Sequence, residues 1–484
     1  MKKTGVFHPR LWVTLCVAAG LPLAPAWAAP AASASAPASA LPMPSAPAAP
    51  TGTPISAPIG AMPPVRSGTA APDVSGMSGM SVVTGPGFNL VELLQELKSN
   101  NPQLIQARHA YLSAKSVPPQ LAAPNNPQLG FIWSNIPKGF PAAVNRATGS
   151  AYSVTQQIPF PGKKSLAAEI ADRQAESLNA QSDALYLQLY AQLSTTYYQA
   201  VSLQKQIDVL KLTIARLEQV KQITRVRYAN NAAAYADYLN AQVSQSSAQN
   251  DLFAAQRQYD TTVQTLNTLI GKEPSFPLEL RAEDDAVRLP GEPLPELENQ
   301  ALRQHPSIKA STELLNAARK SVTLARKGYL PDFQVIATVN SDNPPYGVRP
   351  GSYQLELDII IPFWFFTKEK YAVNQAVESQ IATEANDVAV RQQTLLAVDT
   401  AYSTLRQSLA QLDFNRQRQL PQALAAYRVT MTHYASNNAD FNDLLTAQGA
   451  LKNAELAVAQ AQATALQAYH ALLAATGRSP VQAQ

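Results

Sequence analysis

The chain has 484 residues, 15% of them charged, with a formal net charge of +4 at pH 7 and a single cysteine. This near balance of charge gives no reason to expect a nucleic acid or another polyanion as partner. One cysteine excludes a disulfide within the chain, and since Cys16 lies in the predicted signal peptide, the mature chain would have no cysteine for metal chemistry either.

The first 28 residues have the pattern of a secretory signal peptide. Three basic residues precede an apolar run over residues 11–23, and Ala26-Trp27-Ala28 supplies small residues for cleavage. We expect the mature chain to begin near Ala29. The signal holds three of the 38 basic residues and none of the 34 acidic ones, so the mature charge would be 35 minus 34, or +1. No small residue directly precedes Cys16, and we therefore expect no lipid anchor.

Residues 29–87 consist mostly of Ala, Pro, Ser and Gly. Such a segment cannot bury enough apolar surface to offset its chain entropy, so we predict a disordered leader. The remaining residues, 88–484, contain no second run of 18 or more apolar residues. The mature chain is thus predicted to have no transmembrane helix.

An internal repeat organises residues 88–484. The matched segments are Asn101-Pro102 with His305-Pro306, Ile158-Pro159-Phe160 with Ile361-Pro362-Phe363, and Tyr228 with Tyr434, at separations that stay between 203 and 206 residues. We predict two structurally equivalent units over residues 88–280 and 297–484, joined by a connector over residues 281–296.

Each unit is predicted to have the same order of elements. A helix comes first (residues 90–121 and 297–328), then a strand pair (128–160 and 332–363), a very long helix (163–229 and 367–434), a tight turn (229–234 and 435–440) and a final helix. A helix of 67 residues would be about 100 Å long at 1.5 Å per residue. Pro421 should kink the second long helix, since it lacks a backbone donor.

Apolar residues in the long helices recur at heptad spacing. Leu395, Val398, Tyr402, Leu405, Leu409 and Leu412 step by three and four residues. This spacing is typical of left-handed coiled coils. In length, each long helix matches two shorter ones placed end to end, which suggests a cylinder wall that only several copies could close.

The strands alternate between apolar and polar residues, most clearly at Tyr353, Leu355, Leu357 and Ile359. Strands of about 9 to 11 residues with one apolar face suit a transmembrane β-barrel with a wet lumen. A soluble sandwich edge would look similar, and the strands alone do not decide between the two. Four strands cannot close a barrel, because the smallest barrels have about eight.

The Ile-Pro-Phe segments end the strands, since proline cannot donate to a strand ladder. The aromatic residues that follow are typical of a membrane-interface belt, with Lys163, Lys164, Lys368 and Lys370 just beyond it in water or among headgroups. The belt residues are Phe160, Phe363, Trp364, Phe365 and Phe366. The alternative is an apolar core plug followed by lysines at a solvated helix start.

The duplicated order of elements, with Arg227-Tyr228 and His433-Tyr434 ahead of Asp-x-Leu-x-Ala-Gln segments at residues 237–242 and 443–448, resembles the TolC family of outer membrane efflux proteins. The resemblance implies an α+β membrane protein and a homotrimer. Four strands from each chain would form a 12-stranded β-barrel that continues into a long periplasmic α-helical barrel. It also implies a passive exit duct, docked to a periplasmic adaptor protein and an inner-membrane pump.

The same resemblance places the two turns at the periplasmic tip, where they meet the adaptor. The predicted docking residues are Asn230, Asn231, Ala232, Ser436, Asn437 and Asn438. Asparagine stands at 231 and 437 where the family usually has glycine, and it is the next most tolerant residue for left-handed geometry.

The family's periplasmic gate aspartate corresponds to Asp443, with Asp237 as its counterpart in the first unit. Three copies of Asp443 would form an acidic ring that favours cations. However, Thr446 and Ala439 replace residues that form the gate's ion pairs in some relatives. Both aspartates are equally well explained as first-turn acids that complement the helix dipole.

No catalytic constellation is present in the sequence. The histidines are scattered, and there is no HExxH, no phosphate-binding glycine loop and no G-x-S-x-G. We expect no enzyme activity, no cofactor and no bound metal.

Two alternatives to a channel stay open. A periplasmic coiled-coil scaffold would explain the heptads but not the strands, and a secreted hydrolase would need a cleft with paired catalytic groups. Within the efflux family, the Pro-Gly-Lys-Lys after Phe160 and the Leu420-Pro421 pair resemble the branch that serves heavy-metal pumps of the resistance-nodulation-division type. Metal ions and drugs both remain open as substrates.

Overall fold

The computed structural model describes residues 87–134, 136, 147, 149–281, 287–341, 350–436 and 438–479. All of them belong to the unit Ser81–Gln484. The predicted signal peptide (residues 1–28) and all of the predicted leader except residue 87 lie outside the described residues.

The described helices and strands form two successive sets with the same order. The first set is α1 (Leu90–Asn100), α2 (Pro102–Lys115), α3 (Val117–Ala122), β1 (Gln128–Ser134), β2 (Gly149–Ile158), α4 (Lys163–Ala229) and α5 (Tyr235–Leu269). The second set is α6 (Leu294–Gln304), α7 (Pro306–Lys327), β3 (Asp332–Ser341), β4 (Pro350–Ile360), α8 (Glu369–Phe414), a π-helical turn (Asn415–Gln419), α9 (Leu420–Ala435) and α10 (Phe441–Ala475). The described chain is therefore mainly helical, with one four-stranded sheet. None of its helices combines the length and apolar character needed to cross a bilayer.

The helix predicted at the start of each unit is broken, and the expectation of one continuous helix was wrong. The breaks fall at Asn101 and His305, whose extended ψ angles are 122° and 124°. Each residue precedes a proline, which disfavours helical geometry in the residue before it and is well placed as the first residue of the next helix. Asn101 also caps α2 through its side-chain oxygen and donates from its amide to the Leu269 carbonyl at 2.8 Å.

The long helix α4 has 67 residues and provides the packing surface for most of the described helices. Its buried positions in the second half follow heptad steps of three and four, which places them on one stripe that faces neighbouring helices. These positions are Leu203, Ile207, Leu210, Thr213, Leu217, Val220 and Thr224. Ile207 and Leu210 pack against Ala255 of α5. The coiled-coil spacing predicted from the sequence is thus used in packing.

The second long helical segment is not one regular α-helix. A π-helical turn over Asn415–Gln419 separates α8 from α9, directly before Pro421. Proline has no N–H to donate and its ring clashes with the carbonyl four residues earlier, so the register changes here. The buried Asn415 side chain donates to the Ala457 carbonyl of α10 at 3.3 Å. The sequence predicted a disturbance at Pro421, and the structure shows that it takes this form.

The four strands pair antiparallel in the order β1-β2-β3-β4. Tyr152 of β2 lies opposite Phe131 of β1 on one side and Val339 of β3 on the other, and Val339 lies opposite Tyr353 of β4. Because side chains alternate along strands, these four residues share one face. The first strand and the last strand have no hydrogen-bonded neighbour on their outer sides within the described chain.

One face of the sheet is apolar across all four strands. Leu129, Val154, Ala337 and Leu355 form a second cross-strand row beside the first. Leu355 is 78% exposed in the single chain. The opposite face carries polar side chains, including Ser153, Thr338, Gln354, Glu356 and Asp358. The alternation predicted for the strands is confirmed, and the apolar face is uncovered in one chain.

A buried histidine joins α10 to α4 within the main core. The hydroxyl of Tyr190 lies 2.6 Å from Nδ1 of His470, and the hydroxyl of Tyr198 lies 3.0 Å from Nε2. The Tyr198 ring stacks on the imidazole. Burial lowers the pKa of His470 to about 4, because the charged form loses hydration. The imidazole is therefore neutral at physiological pH.

We predict that His470 makes the protein less stable in mild acid. The unfolded chain, with a histidine pKa of about 6.5, binds a proton that the folded chain does not bind until about pH 4. The free energy of unfolding should therefore fall by about 3 kcal/mol as the pH drops through this window. Urea unfolding of the detergent-purified protein at fixed concentration measures it.

The His470→Gln variant should lose most of this pH dependence. The matched control is His109→Gln, at an exposed position of α2, which should keep it. His305, whose pKa is also lowered by burial, contributes in the same direction, so the comparison is between the slopes of the two variants. Equal slopes would contradict the assignment to His470.

Candidate functional site

The two helical hairpin turns have the same backbone closure. The N–H of Ala232 donates to the Arg227 carbonyl at 2.8 Å, and the N–H of Asn438 donates to the His433 carbonyl at 2.8 Å. Both pairs are separated by five residues and occupy equivalent places in the two repeats. The predicted turns at residues 229–234 and 435–440 contain the donors of these closures, and each acceptor lies two residues before the predicted turn. Asn437 lies outside the described residues.

Asn231 adopts the left-handed conformation, with φ of 55°. It is the only non-glycine residue with positive φ among those that the structure describes. Most side chains are strained there, while asparagine tolerates it. The expectation that asparagine replaces glycine without loss of the turn is confirmed at this position.

The first turn is tied to the second hairpin through Arg227. Its guanidinium donates to the Ala232 carbonyl at 2.9 Å and to the Tyr434 carbonyl, and Cζ lies 4.1 Å from the centre of the Tyr434 ring. The Tyr434 hydroxyl lies 3.2 Å from Oγ1 of Thr224 on α4. Tyr434 is only 2% exposed and packs against Phe441. A cation held over a desolvated aromatic face is a favourable contact.

The equivalent aromatic residues of the first repeat lie in the open. Tyr228 contacts Tyr235 at 5.4 Å between ring centres, and Tyr235 stacks on Tyr238 at 6.1 Å. Tyr228 is 47% exposed and Tyr235 is 53% exposed. Their counterparts Tyr434 and Phe441 are buried. The two turns therefore have the same backbone closure, but the aromatic residues beside the first turn are exposed and those beside the second are buried.

The two predicted gate aspartates lie in the first turns of α5 and α10. Asp237 is half-buried and Asp443 is exposed. Within the described residues, the Asp443 carboxylate has no hydrogen-bond or ion-pair partner. The neighbouring Thr446 hydroxyl donates to the Asn442 carbonyl instead, and Ala439 packs into the cluster around Tyr434. In the first turn of α10, the Asp443 carboxylate can interact with the helix dipole. The same position equally leaves this carboxylate free to face a lumen.

The aromatic residues after the two strand pairs also differ between the repeats. Phe363, Trp364, Phe365 and Phe366 are all exposed, with Trp364 at 70%. Phe160 is half-buried, with Nζ of Lys327 lying 5.8 Å from its ring centre. An uncovered cluster of four large aromatic side chains is unusual on a soluble surface.

The junction after β2 is held by contacts that the sequence reading missed. Nζ of Lys163 lies 2.8 Å from a carboxylate oxygen of Asp332, and the same oxygen accepts the Phe160 N–H at 2.7 Å. Lys163 also donates to the Leu330 carbonyl, at 3.0 Å, and Lys164 to the Ala123 carbonyl, at 2.7 Å. The expectation that Lys163 lies in water or among headgroups was wrong, because its ammonium binds the start of β3.

Gly162 allows this junction to turn. Its φ of 86° lies in the left-handed region, and a Cβ added there would come within 2.7 Å of Nζ of Lys327. Lys327 donates to the Pro161 carbonyl at 3.1 Å. The Pro-Gly pair therefore lets the chain reverse into α4, and two lysines bind the reversal to the second repeat.

The described residues contain no group of three or more His, Cys, Asp or Glu side chains that could hold a metal ion. Their hydrogen-bonded titratable groups, such as Arg216 and Glu455 at 2.8 Å, join helices to each other. The exposed features described above are the two turns, the aromatic cluster and the apolar face of the sheet.

Comparison with known proteins places these surfaces in a family. The model of a family described as outer membrane efflux protein matches residues 93–272 and 297–478. The cobalt-zinc-cadmium resistance protein CzcC of Cupriavidus metallidurans is 23% identical over 404 residues, which are 82% of this chain and 88% of CzcC.

Solved structures have the same fold. The outer-membrane channel OprN matches with a TM-score of 0.71 at 20% identity, over 81% of this chain and 90% of OprN. The outer membrane protein VceC of Vibrio cholerae matches with a TM-score of 0.68 at 18% identity, over 81% of this chain and 96% of VceC.

A matched pair of variants tests the left-handed backbone conformation of Asn231. Asn231→Gly should leave the turn intact, whereas Asn231→Ala should destabilise it by about 1 kcal/mol, the cost of left-handed geometry for a Cβ-bearing residue. The readout is hydrogen exchange at the amide of Ala232, which should speed up only in the alanine variant. Equal exchange in the two variants would contradict the prediction.

Proposed function

The chain belongs to the outer membrane efflux protein family, and from that membership we propose that it is the exit duct of a tripartite efflux system. The function of the family is export through the outer membrane, by transport and not by catalysis. No observation on the described residues favours the alternative of a periplasmic scaffold. The finer points of assembly, gating and cargo are proposed below.

The observation that carries the proposal is the uncovered apolar face of the sheet. Tyr353 and Leu355 are 77% and 78% exposed, while Gln354 and Glu356 point to the other face. A sheet with an apolar outer face and a polar inner face suits a barrel wall between lipid and water. The outer edges of β1 and β4 need partners, since open edges do not occur within the hydrocarbon region.

We propose that three copies satisfy these edges. Strand β4 of one copy would pair with β1 of the next, and four strands from each chain would give a barrel of 12. The long helices α4 and α8 leave the sheet at the same end, after Ile158 and Ile360, and would form the wall of a periplasmic tunnel. The homotrimer is supported by the sheet edges and by the family.

We propose that the aromatic cluster of Phe363, Trp364, Phe365 and Phe366 lies at the membrane interface. Aromatic rings with partly polar surroundings prefer the headgroup level. Phe160 would extend the belt from the first repeat, although its contact with Lys327 covers part of its ring. Lys368 remains 83% exposed in its side chain and is suited to water or headgroups.

The turns support a role in docking. Asn230, Asn231, Ala232, Ser436 and Asn438 are exposed, and we propose that they meet a periplasmic adaptor, together with Asn437. Three copies of Asp443 would form an acidic ring at the closed aperture, and Asp237 would contribute from the first repeat. A ring of carboxylates favours cations.

We propose metal cations as cargo, delivered by an inner-membrane pump of the resistance-nodulation-division type. Two similarities support this: the relative CzcC is a cobalt-zinc-cadmium resistance protein, and the Pro-Gly-Lys-Lys segment resembles the heavy-metal branch. We also propose a signal peptide over residues 1–28 and two repeats over residues 88–280 and 297–484. The protein would be attached to the outer membrane without a lipid anchor.

We predict that the purified protein is an outer membrane oligomer that conducts ions. Membrane fractionation followed by electrophoresis should show a species that dissociates to the monomer only on heating. Planar-bilayer recordings of that species should show stepwise conductance. A monomer that stays soluble after cell breakage would overturn the proposal.

The Asp443→Asn variant provides the matched arm of this experiment. Removing one unit charge per chain, worth about 1 kcal/mol near a permeating ion in water, should lower the preference for potassium over chloride by up to about fivefold. The control is Asp399→Asn, an exposed aspartate of α8 far from both turns in sequence. An unchanged reversal potential in Asp443→Asn would return this residue to a role at the helix terminus.

We predict that Trp364 contacts lipid at the interface. Outside the predicted signal peptide the chain has two tryptophans, Trp133 and Trp364. In a Trp133→Phe variant reconstituted in vesicles, lipids brominated near the headgroup should quench Trp364 fluorescence more strongly than lipids brominated deep in the acyl chain. Equal weak quenching by both lipids would place the cluster away from the membrane.

A further inference from the structure

The two helical hairpins of one chain meet at a joint formed by five residues. Arg227 and Thr224 of α4 hold Tyr434 at the end of α9, and Arg216 of α4 forms a two-bonded ion pair with Glu455 of α10, at 2.8 Å for each bond. Glu455 raises the pKa of Arg216. The joint therefore contains two arginines, both on α4, that remain charged at any physiological pH.

Each residue on the α4 side of this joint has a repeat equivalent on α9, 206 positions later. Thr224 corresponds to Thr430, Arg227 to His433, and Arg216 to Gln422. In the single chain, His433 and Gln422 are exposed and Thr430 is half-buried. Val429, the equivalent of Ile223, is 55% exposed. Gln422, Val429 and His433 therefore form an exposed stripe on α9 in the single chain.

The residues that would complete such a joint are also uncovered. Tyr228, the equivalent of Tyr434, is exposed beside Tyr235 and Tyr238. Further along α5, Val243 and Phe253 are 67% and 65% exposed. One chain thus presents both halves of a second joint, on two surfaces that do not meet each other. The duplicated sequence identifies the occupant of each surface as another copy of this chain.

We propose that, in the assembled protein, His433 of one copy stacks on Tyr228 of the next and Thr430 bonds its hydroxyl, so that the tip is closed by two kinds of joint. This inference rests on the proposed homotrimer. The joint within a chain uses arginine over tyrosine, and the joint between chains uses histidine over tyrosine. Gln422 would replace Arg216 in the second joint, opposite Gln249, the equivalent of Glu455. The joint between chains therefore has no arginine, whereas the joint within a chain has two that are always charged.

The charge on the joint between chains depends on pH. A protonated imidazole binds an aromatic face as a cation, whereas a neutral imidazole does not. The groups around His433 in this arrangement are Tyr228, Arg225 and Arg227 of the neighbouring α4 and Tyr235, Asp237 and Tyr238 of the neighbouring α5. Its own chain contributes Arg428, Asp440 and Asp443. Asp237 and the tyrosine rings favour the cation, and the arginines oppose it.

The expected consequence is that acid tightens the contacts between copies and alkali loosens them. Protonation of three histidines strengthens three of the six joints, while the arginine joints do not change. The tip should therefore open more readily at pH 8 than at pH 5.5.

Cross-linking tests the placement directly. A Tyr228→Cys, His433→Cys double variant should give covalent oligomers of the chain on denaturing gels after treatment with a short bismaleimide. This reagent is needed because a disulfide requires Cα atoms within about 7 Å. Each single variant, and the displaced pair Tyr228→Cys with Arg406→Cys on α8, should give only the monomer. Cross-linking that is equal in both double variants, or absent in both, would overturn the placement.

Planar-bilayer recordings test the pH dependence. The unmodified protein should spend a larger fraction of time open at pH 8 than at pH 5.5. His433→Arg should open rarely at both values, since it repeats the Arg227 joint, and His433→Gln should open often at both. A pH dependence that survives in both variants would assign it to another group and overturn the role of His433.

The outcomes separate this inference from the proposed function. If the protein is an oligomer that conducts ions but neither cross-links nor responds to His433 substitution, only the inference fails. If the purified protein is a monomer without conductance, the proposed function fails and the inference fails with it.

Discussion

The unpaired edges of the four-stranded sheet are the constraint on which the rest of the structure depends. Backbone N–H and C=O groups on the outer sides of β1 and β4 have no ladder partner in the described chain, and the apolar face between these strands is uncovered. Neither condition is stable for a single chain in water or in lipid. In the proposed trimer, association of copies would remove both at once, because a closed barrel has no edges and turns the apolar face to lipid. The long helices α4 and α8 would then extend from the end of the barrel at which β2 and β4 finish.

Duplication supplies the same surfaces twice, but the two copies of each surface have different surroundings. Within one chain, α4 of the first repeat packs against α10 of the second. The equivalent contact, of α9 with α5, does not reach a similar extent within the described chain. Tyr434 is therefore buried and Tyr228 exposed, although both end a long helical segment and both precede the same turn closure. The arginines Arg216 and Arg227 lie on the joint inside a chain, whereas Gln422 and His433 lie on the surface that we propose forms contacts between copies.

The junction between the sheet and the long helix α4 is another place where the two repeats contact each other. Asp332, the first residue of β3, accepts bonds from Lys163 and from the Phe160 backbone. An ion pair between partly exposed groups contributes little by itself. Here the same carboxylate also satisfies a backbone donor that Pro159 leaves at the end of a strand, so the contact positions the chain reversal at Gly162. The second repeat replaces these contacts with the aromatic cluster Phe363–Phe366, and Glu369 stands at the helix start in place of Lys163.

Features that depend on local periodicity are encoded in the amino-acid sequence alone. The repeat, the span of α4, the two faces of the strands and the turn at Asn231 follow from spacing, alternation and backbone preference, which involve neighbours in the chain. The helix breaks at Asn101 and His305 were also encoded locally, in the prolines that follow them, although the sequence reading passed over them. Which of two residues at equivalent positions of the repeats is buried depends on the tertiary structure. The partners of Lys163 and Tyr434 lie 169 and 207 residues away, and His470 is neutral because two tyrosines of α4 enclose it. Such contacts depend on how helices pack side by side, and the periodicity of one helix does not specify its neighbour.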